Sequence, residues 1–384
     1  MARSARQRVV IGAVALVVAA TAVAVATTVT GGADDPTPAA RPVSSPSSRP
    51  PSPTPSAARA PVPPLLPART GAQLLVVQGT KLETLDVDTG ARRMLPTDPR
   101  LRDHDRLDVR PVGSELAVLG DDQTGAGNGP YPAYLTTSGP GSALREVGQA
   151  SYLLPSRRAD RVWLVADEDT NGGDSGTTLV EVDVHGRVRE RATFVHAFGV
   201  RPFAGAFLLP VAAADGGPGD HTDLVDRAGR RLHRYLGNPV ATSGSTAVLV
   251  QGDAPCSSDC RLLVLTAGRT ITERSVAFDA LPGLMEPGLS RDATRLFTSA
   301  VDESDPTVPS RVTELDLTTG RSTPVTDAWS ATYYGPSFQF TPEGRWMFFL
   351  DVDKVHVDAY DLQERTSYRV KGTYGTITQL TLLP

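Results

Sequence analysis

Short apolar stretches alternate with polar turns along residues 72–384, and one pattern recurs in six clear copies. Each copy has an alternating strand, a small turn and a second short β-prone strand, as in VTELDLTTGRSTPV from Val312. The turns lie at Asp88-Thr89-Gly90, His185-Gly186-Arg187, Ala228-Gly229-Arg230, Ala267-Gly268-Arg269, Thr319-Gly320-Arg321 and Gln363-Glu364-Arg365, with a less clear copy at Ser138–Gly141. A repeat of about 40 to 50 residues with several short strands is typical of a propeller blade.

A second hairpin precedes each of these turns. In it a polar turn leads into a nearly continuous apolar strand, as in LSRDATRLFTSA from Leu289 and FTPEGRWMFFLD from Phe340. Such a run suits a strand that is buried on both faces, whereas the later hairpin alternates as half-exposed strands do. Each repeat is therefore predicted to be a four-stranded antiparallel sheet with its first hairpin near an axis.

Six complete blades are predicted, at 105–148, 150–195, 197–237, 239–278, 285–326 and 331–371. Two fragments remain, because Ala72–Leu95 supplies only three strands and ITQLTLLP from Ile377 supplies one. Pairing these fragments would complete a seventh blade and remove the exposed sheet edges of an open array. The predicted fold is an all-β, seven-bladed β-propeller closed by its N- and C-terminal strands.

The hairpins resemble those of known bacterial propellers. LSRDATRLF and FTPEGRWMFF look like the S-P-D-G-x-x-L-x-F signature of TolB-like and WD40-like propellers, and LDLTTGRSTPV is similar to the D-x-x-T-G hairpin of that group and of YVTN-type repeats. Ala293 stands where the signature has Gly. The resemblance covers residues 72–384 and implies a propeller, but motifs of this kind are structural and leave the function open.

The first 70 residues have a different composition. Arg3, Arg6 and Arg8 precede an uncharged run of 21 residues, Val9–Val29, which is long enough to cross a bilayer. Residues 1–30 are therefore predicted to form a single-pass membrane anchor, or alternatively a signal peptide that is cleaved near Ala26. The first alternative gives a cell-membrane protein with its propeller outside the cytoplasm, and the second a secreted one.

Residues 31–70 are rich in Pro, Ser and Ala and are predicted to be a disordered linker to a propeller at 71–384. Residues 71–384 contain 31 basic and 41 acidic residues, a balance of −10. A nucleic-acid-binding domain would need the opposite balance, so no nucleic-acid partner is expected.

Five consecutive blades are predicted to have long loops between their second and third strands, at 121–132, 167–177, 212–222, 252–260 and 301–310. These loops hold thirteen acidic residues and no Lys or Arg. The candidate binding residues among them are Asp121, Asp122, Asp167, Asp169, Asn171, Asp174, Asp302, Glu303 and Asp305. One interpretation is a negative surface that binds a cation or a basic partner, and the other is that exposed loops are simply polar.

The segment Asp167-Glu168-Asp169-Thr170-Asn171-Gly172 matches the first half of a calcium-binding loop. Asp167, Asp169 and Asn171 are its candidate ligands, although Thr178 replaces the Glu at position twelve, and an ordinary Gly-rich turn is the alternative. No cofactor other than Ca²⁺ is indicated. Cys256 and Cys260, the chain's two cysteines, are predicted to form a disulfide across the fourth loop.

No catalytic constellation is evident, since the six histidines show no zinc-binding spacing. The first functional hypothesis is therefore a non-catalytic, membrane-tethered, extracytoplasmic binding module whose acidic loops contact a protein or another cell-envelope component. The alternative is a propeller enzyme, such as a metal-dependent lactonase, lyase or hydrolase, with a site at the axis. A third hypothesis is an inert cell-envelope scaffold.

Overall fold

Seven four-stranded antiparallel sheets contain all the strands of the described residues. In this computed structural model the described residues are 62–67, 69–95, 98–102, 104, 106–121, 130–137, 144–168, 176–195, 199–212, 218–243, 245–252, 261–278, 287–299, 310–330, 338–351 and 354–384. The sheets form a seven-bladed β-propeller, so the fold predicted from the repeat is confirmed.

The strands follow the chain in order, and the complete blades are numbered from the first one. The chain begins with β1 (Gln73–Gln78), β2 (Lys81–Asp86) and β3 (Arg92–Met94), followed by a 3₁₀ turn at Pro99–Leu101. Blade 1 is β4 (Arg106–Val112), β5 (Glu115–Asp121), β6 (Tyr131–Thr137) and β7 (Arg145–Ala150). Blade 2 is β8 (Tyr152–Pro155), β9 (Arg161–Glu168), β10 (Gly176–Asp183) and β11 (Val188–Val195). Blade 3 is β12 (Arg201–Phe203), β13 (Ala206–Ala212), β14 (Pro218–Val225) and β15 (Arg231–Leu236).

The remaining blades have the same composition. Blade 4 is β16 (Asn238–Ser243), β17 (Thr246–Gln251), β18 (Arg261–Ala267) and β19 (Ile271–Ala277). Blade 5 is β20 (Gly288–Leu289), β21 (Arg295–Ser299), β22 (Ser310–Asp316) and β23 (Ser322–Ser330). Blade 6 is β24 (Gln339–Phe340), β25 (Trp346–Leu350), β26 (Val357–Asp361) and β27 (Thr366–Arg369). The last strand, β28 (Gln379–Leu382), joins β1, β2 and β3 to form blade 7.

The two ends of the chain close the ring by pairing β28 with β1. Leu74 lies opposite Leu382 and Val77 opposite Gln379 in an antiparallel register. This is the predicted closure, in which the C-terminal strand becomes the first strand of the blade that the N-terminal strands leave incomplete. First strands of neighbouring blades contact each other, as β28 contacts β4 and β4 contacts β8, which places them around the axis.

Seven apolar clusters of buried residues hold the blades together, and each cluster combines side chains from two adjacent blades. The second strands contribute to two clusters each, because alternate side chains point to opposite faces. In β1, for example, Leu74 packs with blade 6 while Leu75 packs with blade 1. This confirms the prediction that these strands are buried on both faces, and it explains why one blade cannot fold alone.

The recurring Asp before the second turn caps that turn in five blades. Its side chain accepts hydrogen bonds from backbone N–H groups two to four residues further on, in the manner of an Asx turn. Asp361, for instance, accepts from Gln363 N at 2.8 Å and Glu364 N at 3.1 Å. The other four are Asp86, Asp183, Asp226 and Asp316. The D-x-x-T-G pattern is therefore a structural signal of the outer hairpin.

The described residues that precede the propeller lie against blades 6 and 7. Leu65 forms a parallel bridge with Arg369 of β27, and Thr70 N donates to the Asp88 carboxylate at 2.6 Å. The predicted membrane segment, Val9–Val29, lies outside the described residues. Among the residues that are described, no helix is both long and apolar enough to cross a membrane.

Candidate functional site

The five predicted acidic loops join strands that occupy equivalent positions in their blades. They connect β5 to β6, β9 to β10, β13 to β14, β17 to β18 and β21 to β22, which are the second and third strands of blades 1 to 5. Asp121 is the last residue of β5, and Asp167 in β9 lies opposite Thr177. The other candidate residues, Asp122, Asp169, Asn171, Asp174, Asp302, Glu303 and Asp305, lie outside the described residues, so the acidic surface and the calcium site stay predictions.

The predicted disulfide also falls outside the described residues, because neither Cys256 nor Cys260 is among them. It stays a prediction. The described residues contain no group of three His, Cys, Asp or Glu side chains that could hold a metal ion.

A large cavity lies among the turns that join the first strand of a blade to its second strand, at the opposite ends of the second strands from the predicted acidic loops. Its volume is about 820 Å³, and blades 2, 3, 4 and 5 all line it. Five arginines face it: Arg157, Arg158, Arg161, Arg227 and Arg291. We call it the arginine basin. Its volume lies in the range of roughly 300 to 1,000 Å³ that is usual for small-molecule sites.

Two glutamates are cross-strand neighbours on the part of the cavity wall that blade 2 forms. Glu181 of β10 lies opposite Glu190 of β11 and, on its other side, opposite Trp163 of β9. Cross-strand neighbours point to the same face of a sheet, so both carboxylates face the basin beside the indole ring. The antiparallel register of blade 2 thus brings two like charges together.

Glu181 is the more tightly held of the two carboxylates. Its side chain is only 8% exposed and forms an ion pair with Arg161 at 2.8 Å. Ser156 Oγ also donates to Glu181 Oε1 at 2.6 Å. Both oxygens of the Glu181 carboxylate are therefore held by residues 156–161, which comprise the turn between β8 and β9 and the first residue of β9.

Glu190 is the carboxylate whose pKa the cavity raises. Burial raises its pKa, the Arg227 guanidinium opposes that shift, and the nearby negative charge of Glu181 adds to it. Arg227 of blade 3 forms an ion pair with Glu190 and so bridges the two blades. A carboxylate with a raised pKa, beside a cation and in a cavity, suits general acid or base chemistry.

Three of the five arginines form ion pairs with carboxylates of the protein. Arg161 and Arg227 pair with the glutamates, and Arg158 pairs with the partly exposed Asp160 at 3.2 Å. Arg157 and Arg291 are exposed and have no hydrogen bond or ion pair within the described part of the chain.

A second polar cluster involves one of the six histidines. His356 Nδ1 lies 3.1 Å from Asp351 Oδ2, and His356 Nε2 lies 3.3 Å from Thr373 Oγ1. The order carboxylate, imidazole and hydroxyl is that of a proton relay. Arg369 shares the Asp351 carboxylate at 3.3 Å, however, and none of these residues lines the basin. We assign the cluster a role in holding the β25–β26 connection against β27.

Sequence reasoning missed the basin. Arg157, Arg158 and Arg161 come from the segment SRRADR, whose three arginines in one turn were a usable signal. Arg227 and Arg291 could not be recognised from the sequence, because each lies in a turn motif that the repeat alone explains. The buried charge pair of Glu181 is visible only in the folded blade.

Comparison with known proteins identifies the fold. No family model and no curated protein sequence matches the chain. A candidate 6-phosphogluconolactonase from Bacteroides fragilis is 13% identical with a TM-score of 0.52, over 83% of this chain and 100% of that one. The periplasmic gluconolactonase PpgL of Pseudomonas aeruginosa is 15% identical with a TM-score of 0.52, over 82% and 99%. The acylaminoacyl peptidase of Pyrococcus horikoshii is 11% identical with a TM-score of 0.51, over 79% and 51%.

At such identities the likeness shows the propeller fold alone, and the predicted TolB-like or WD40-like membership is not shown by it. The presence of two lactonases among the similar propellers nevertheless contradicts the prediction of a non-catalytic binding module. The alternative stated with it, a propeller enzyme, agrees better with these comparisons. The physical reason for the error is that acidic loops are conspicuous in a sequence, whereas a cavity assembled from four blades is not.

Proposed function

We propose that the chain is a propeller enzyme that hydrolyses a small cyclic ester, a lactone, in the arginine basin. Glu190 carries this proposal, because it is a carboxylate with a raised pKa that faces the cavity beside Arg227. The lactonases among the similar folds support the same reaction class.

The chemistry needs a base and a cation. Glu190 accepts a proton from a water molecule as the water oxygen bonds to the lactone carbonyl carbon. The carbonyl oxygen becomes an oxyanion, and a guanidinium of the basin stabilises it. When the ring C–O bond breaks, the proton on Glu190 passes to the departing ring oxygen, which yields a hydroxy carboxylic acid.

Arg227, Glu181 and the hydroxyl groups of blade 4 have supporting roles. Arg227 holds the Glu190 carboxylate in place and opposes the rise of its pKa. Glu181 is occupied by Arg161 and Ser156, so we assign it a positioning role through its charge on Glu190. Thr242, Ser243 and Ser245 of blade 4 line the basin and offer hydroxyl groups to a polyhydroxylated substrate.

The test is hydrolysis of glucono-δ-lactone and 6-phosphoglucono-δ-lactone by the purified full chain, with spontaneous hydrolysis subtracted. We expect Glu190→Gln to reduce kcat/KM by about 10² to 10⁴, the usual contribution of a general base. Glu146→Gln is the matched control, because Glu146 lies on β7, the same outer position in blade 1, and is exposed outside the basin. Full activity of Glu190→Gln, or no turnover of either lactone, would refute the proposal.

A further inference from the structure

A second cavity adjoins the arginine basin at blade 5. Its volume is about 360 Å³, and it lies between turns of blades 5 and 6. Arg291 and Asp292, in the turn between β20 and β21, line both cavities. Glu343 and Gly344, between β24 and β25, and Gln363, between β26 and β27, form the other side. The volume lies in the range that is usual for ligand pockets, so the second cavity is large enough to hold part of a ligand by itself.

The two cavities together follow the ring of the propeller. The turns that join first to second strands in blades 2, 3, 4 and 5 line the basin, and the corresponding turn of blade 6 lines the second cavity. Five successive blades therefore contribute the same turn to one curved surface. A single sugar ring covers only part of such a surface, whereas a chain of linked rings can follow it.

The turn that separates the two cavities is held by its own hydrogen bonds. Ser290 Oγ donates to the Asp292 carboxylate at 2.6 Å, and Thr294 Oγ1 donates to it at 2.9 Å. Arg295 N in turn donates to Ser290 Oγ at 3.0 Å. A wall that is already ordered lowers the cost of binding. Because a guanidinium group carries five N–H donors, Arg291 can donate to ligand groups in both cavities.

The charges of the second cavity are balanced. Its lining includes two guanidinium groups and two carboxylates, those of Arg291, Arg295, Asp292 and Glu343. The balance holds when the neighbouring ion pairs are counted, because Arg295 also pairs with Glu314 at 3.7 Å and Arg365 shares that carboxylate at 3.1 Å. A balanced lining favours a neutral group that both donates and accepts hydrogen bonds. The exposed amide of Gln363 likewise donates and accepts.

We infer that the basin and the second cavity form one extended cleft for an oligosaccharide, whose sugar units cross the turn at Arg291. Each sugar unit has hydroxyl groups, which match the hydroxyls of Thr242, Ser243 and Ser245 in the basin and the mixed donors and acceptors of the second cavity. The inference rests on the proposed function only for the reacting end. The substrate would then be an oligosaccharide that ends in a lactone, with that lactone at Glu190.

Equilibrium binding provides a test that does not require turnover. Aldonic acids of one to four sugar units, from the cello and malto series, are titrated calorimetrically into the purified full chain. All of them carry one carboxylate, so only the length of the chain differs within a series. We expect the dissociation constant to fall at least tenfold from one unit to four in at least one series, because each added unit forms further hydrogen bonds.

A bulky side chain in the second cavity should shorten the cleft. We expect Gln363→Trp to weaken binding of the four-unit acid roughly tenfold relative to that of the one-unit acid. Glu364→Trp is the matched control, since Glu364 is the next residue of the same turn and is exposed, but lines neither cavity. It should leave the affinities for all the acids unchanged. Melting temperatures of both variants identify any loss that is due to unfolding.

The outcomes separate this inference from the proposed function. If affinity does not rise with chain length in either series, or if Gln363→Trp weakens the four-unit acid no more than Glu364→Trp does, the extended cleft is refuted. If the longer acids bind through the second cavity but no lactone is hydrolysed, the cleft stands and the proposed reaction fails. If glucono-δ-lactone is hydrolysed but the longer acids bind no better than the shortest, the reaction stands and the cleft fails.

Discussion

The side-chain amide of Gln379 pairs with both backbone polar groups of Val109. Val109 N donates to Gln379 Oε1 at 2.9 Å, and Gln379 Nε2 donates to Val109 O at 2.8 Å. Val109 lies in β4, the first strand of blade 1, whose axial edge has no neighbouring strand in its own sheet. The amide supplies the partners that another strand would provide, and so fastens the last strand of the chain to the first complete blade.

Removal of this clasp should weaken the closed ring. We expect Gln379→Ala to lower the free energy of unfolding by about 2 kcal/mol, because Val109 N loses its side-chain partner and Val109 O keeps only the longer bond from Thr381 Oγ1 at 3.4 Å. Gln339→Ala is the comparison, since Gln339 accepts a single hydrogen bond, from Leu382 N at 3.1 Å, at the neighbouring junction. Urea unfolding measures both, and a Gln379→Ala loss no greater than that of Gln339→Ala would contradict the clasp.

The Asx-capped turns provide a graded series for a second prediction. Asp361 is 1% exposed and accepts from Arg345 Nη2 at 2.6 Å as well as from its turn, so Asp361→Ala should destabilise the protein by about 2 to 3 kcal/mol. Asp226 has the same turn and an arginine partner, Arg230, but its side chain is 28% exposed. We therefore expect a clearly smaller loss in Asp226→Ala. Equal losses in urea unfolding would show that burial does not govern the strength of the cap.

The lowered pKa values of these carboxylates determine how the free energy of unfolding depends on pH. Burial acts to raise the pKa of Asp183, but hydrogen bonds from Arg187, Arg189 and His185 outweigh it and lower the pKa to about 2. Hydrogen bonds likewise outweigh burial and lower the pKa of Asp361. An unfolded Asp titrates near pH 4, so the stabilisation by a carboxylate with a depressed pKa is complete above about pH 4 and is lost as pH falls towards 2.

Unfolding free energies measured from pH 6 down to pH 2.5 test this. We expect a progressive loss below pH 4, and a shallower loss in Asp183→Asn, which has no carboxylate to protonate. Parallel curves for the two proteins would contradict the assignment.

Much of this fold could be predicted from the sequence, because its determinants are local and repeated. Alternation recurs along the blades, the capping Asp recurs in five of them, and β28 is identifiable as the strand that blade 7 lacks. The arginine basin could not be predicted in the same way. Arg157 and Arg291 are more than a hundred residues apart, and each has an ordinary place in its own turn. The twist of the sheets and the side-chain conformations in the closed ring decide which side chains share a cavity, and no residue pattern encodes them.

One departure from the repeat signature has a measurable cost. Ala293, where the signature has Gly, has a φ of 56°. This left-handed conformation is unfavourable for a residue with a Cβ by about 1 kcal/mol or more. We expect Ala293→Gly to stabilise the protein by up to about 1 kcal/mol, because Gly removes the strain but gains more entropy on unfolding. Thermal unfolding measures the change, and a lower melting temperature would mean that the Ala293 methyl group contributes packing that outweighs its strain.

The final prediction concerns the pH dependence of the proposed reaction. As the base, Glu190 must be deprotonated, so activity should fall as pH drops through its pKa. Since burial raises that pKa, the fall begins at a higher pH than for an exposed glutamate. Arg227→Gln removes the cation that favours the ionised form, so the acid limb of kcat/KM should move to still higher pH.

Arg158→Gln is the control for this shift, because Arg158 lines the basin but pairs with Asp160 and not with Glu181 or Glu190. It should leave the acid limb in place even if it changes KM. An unchanged acid limb in Arg227→Gln, or an equal shift in Arg158→Gln, would mean that a group other than Glu190 sets the limb. The pH profile therefore tests the identity of the base directly, where a lower rate alone would not.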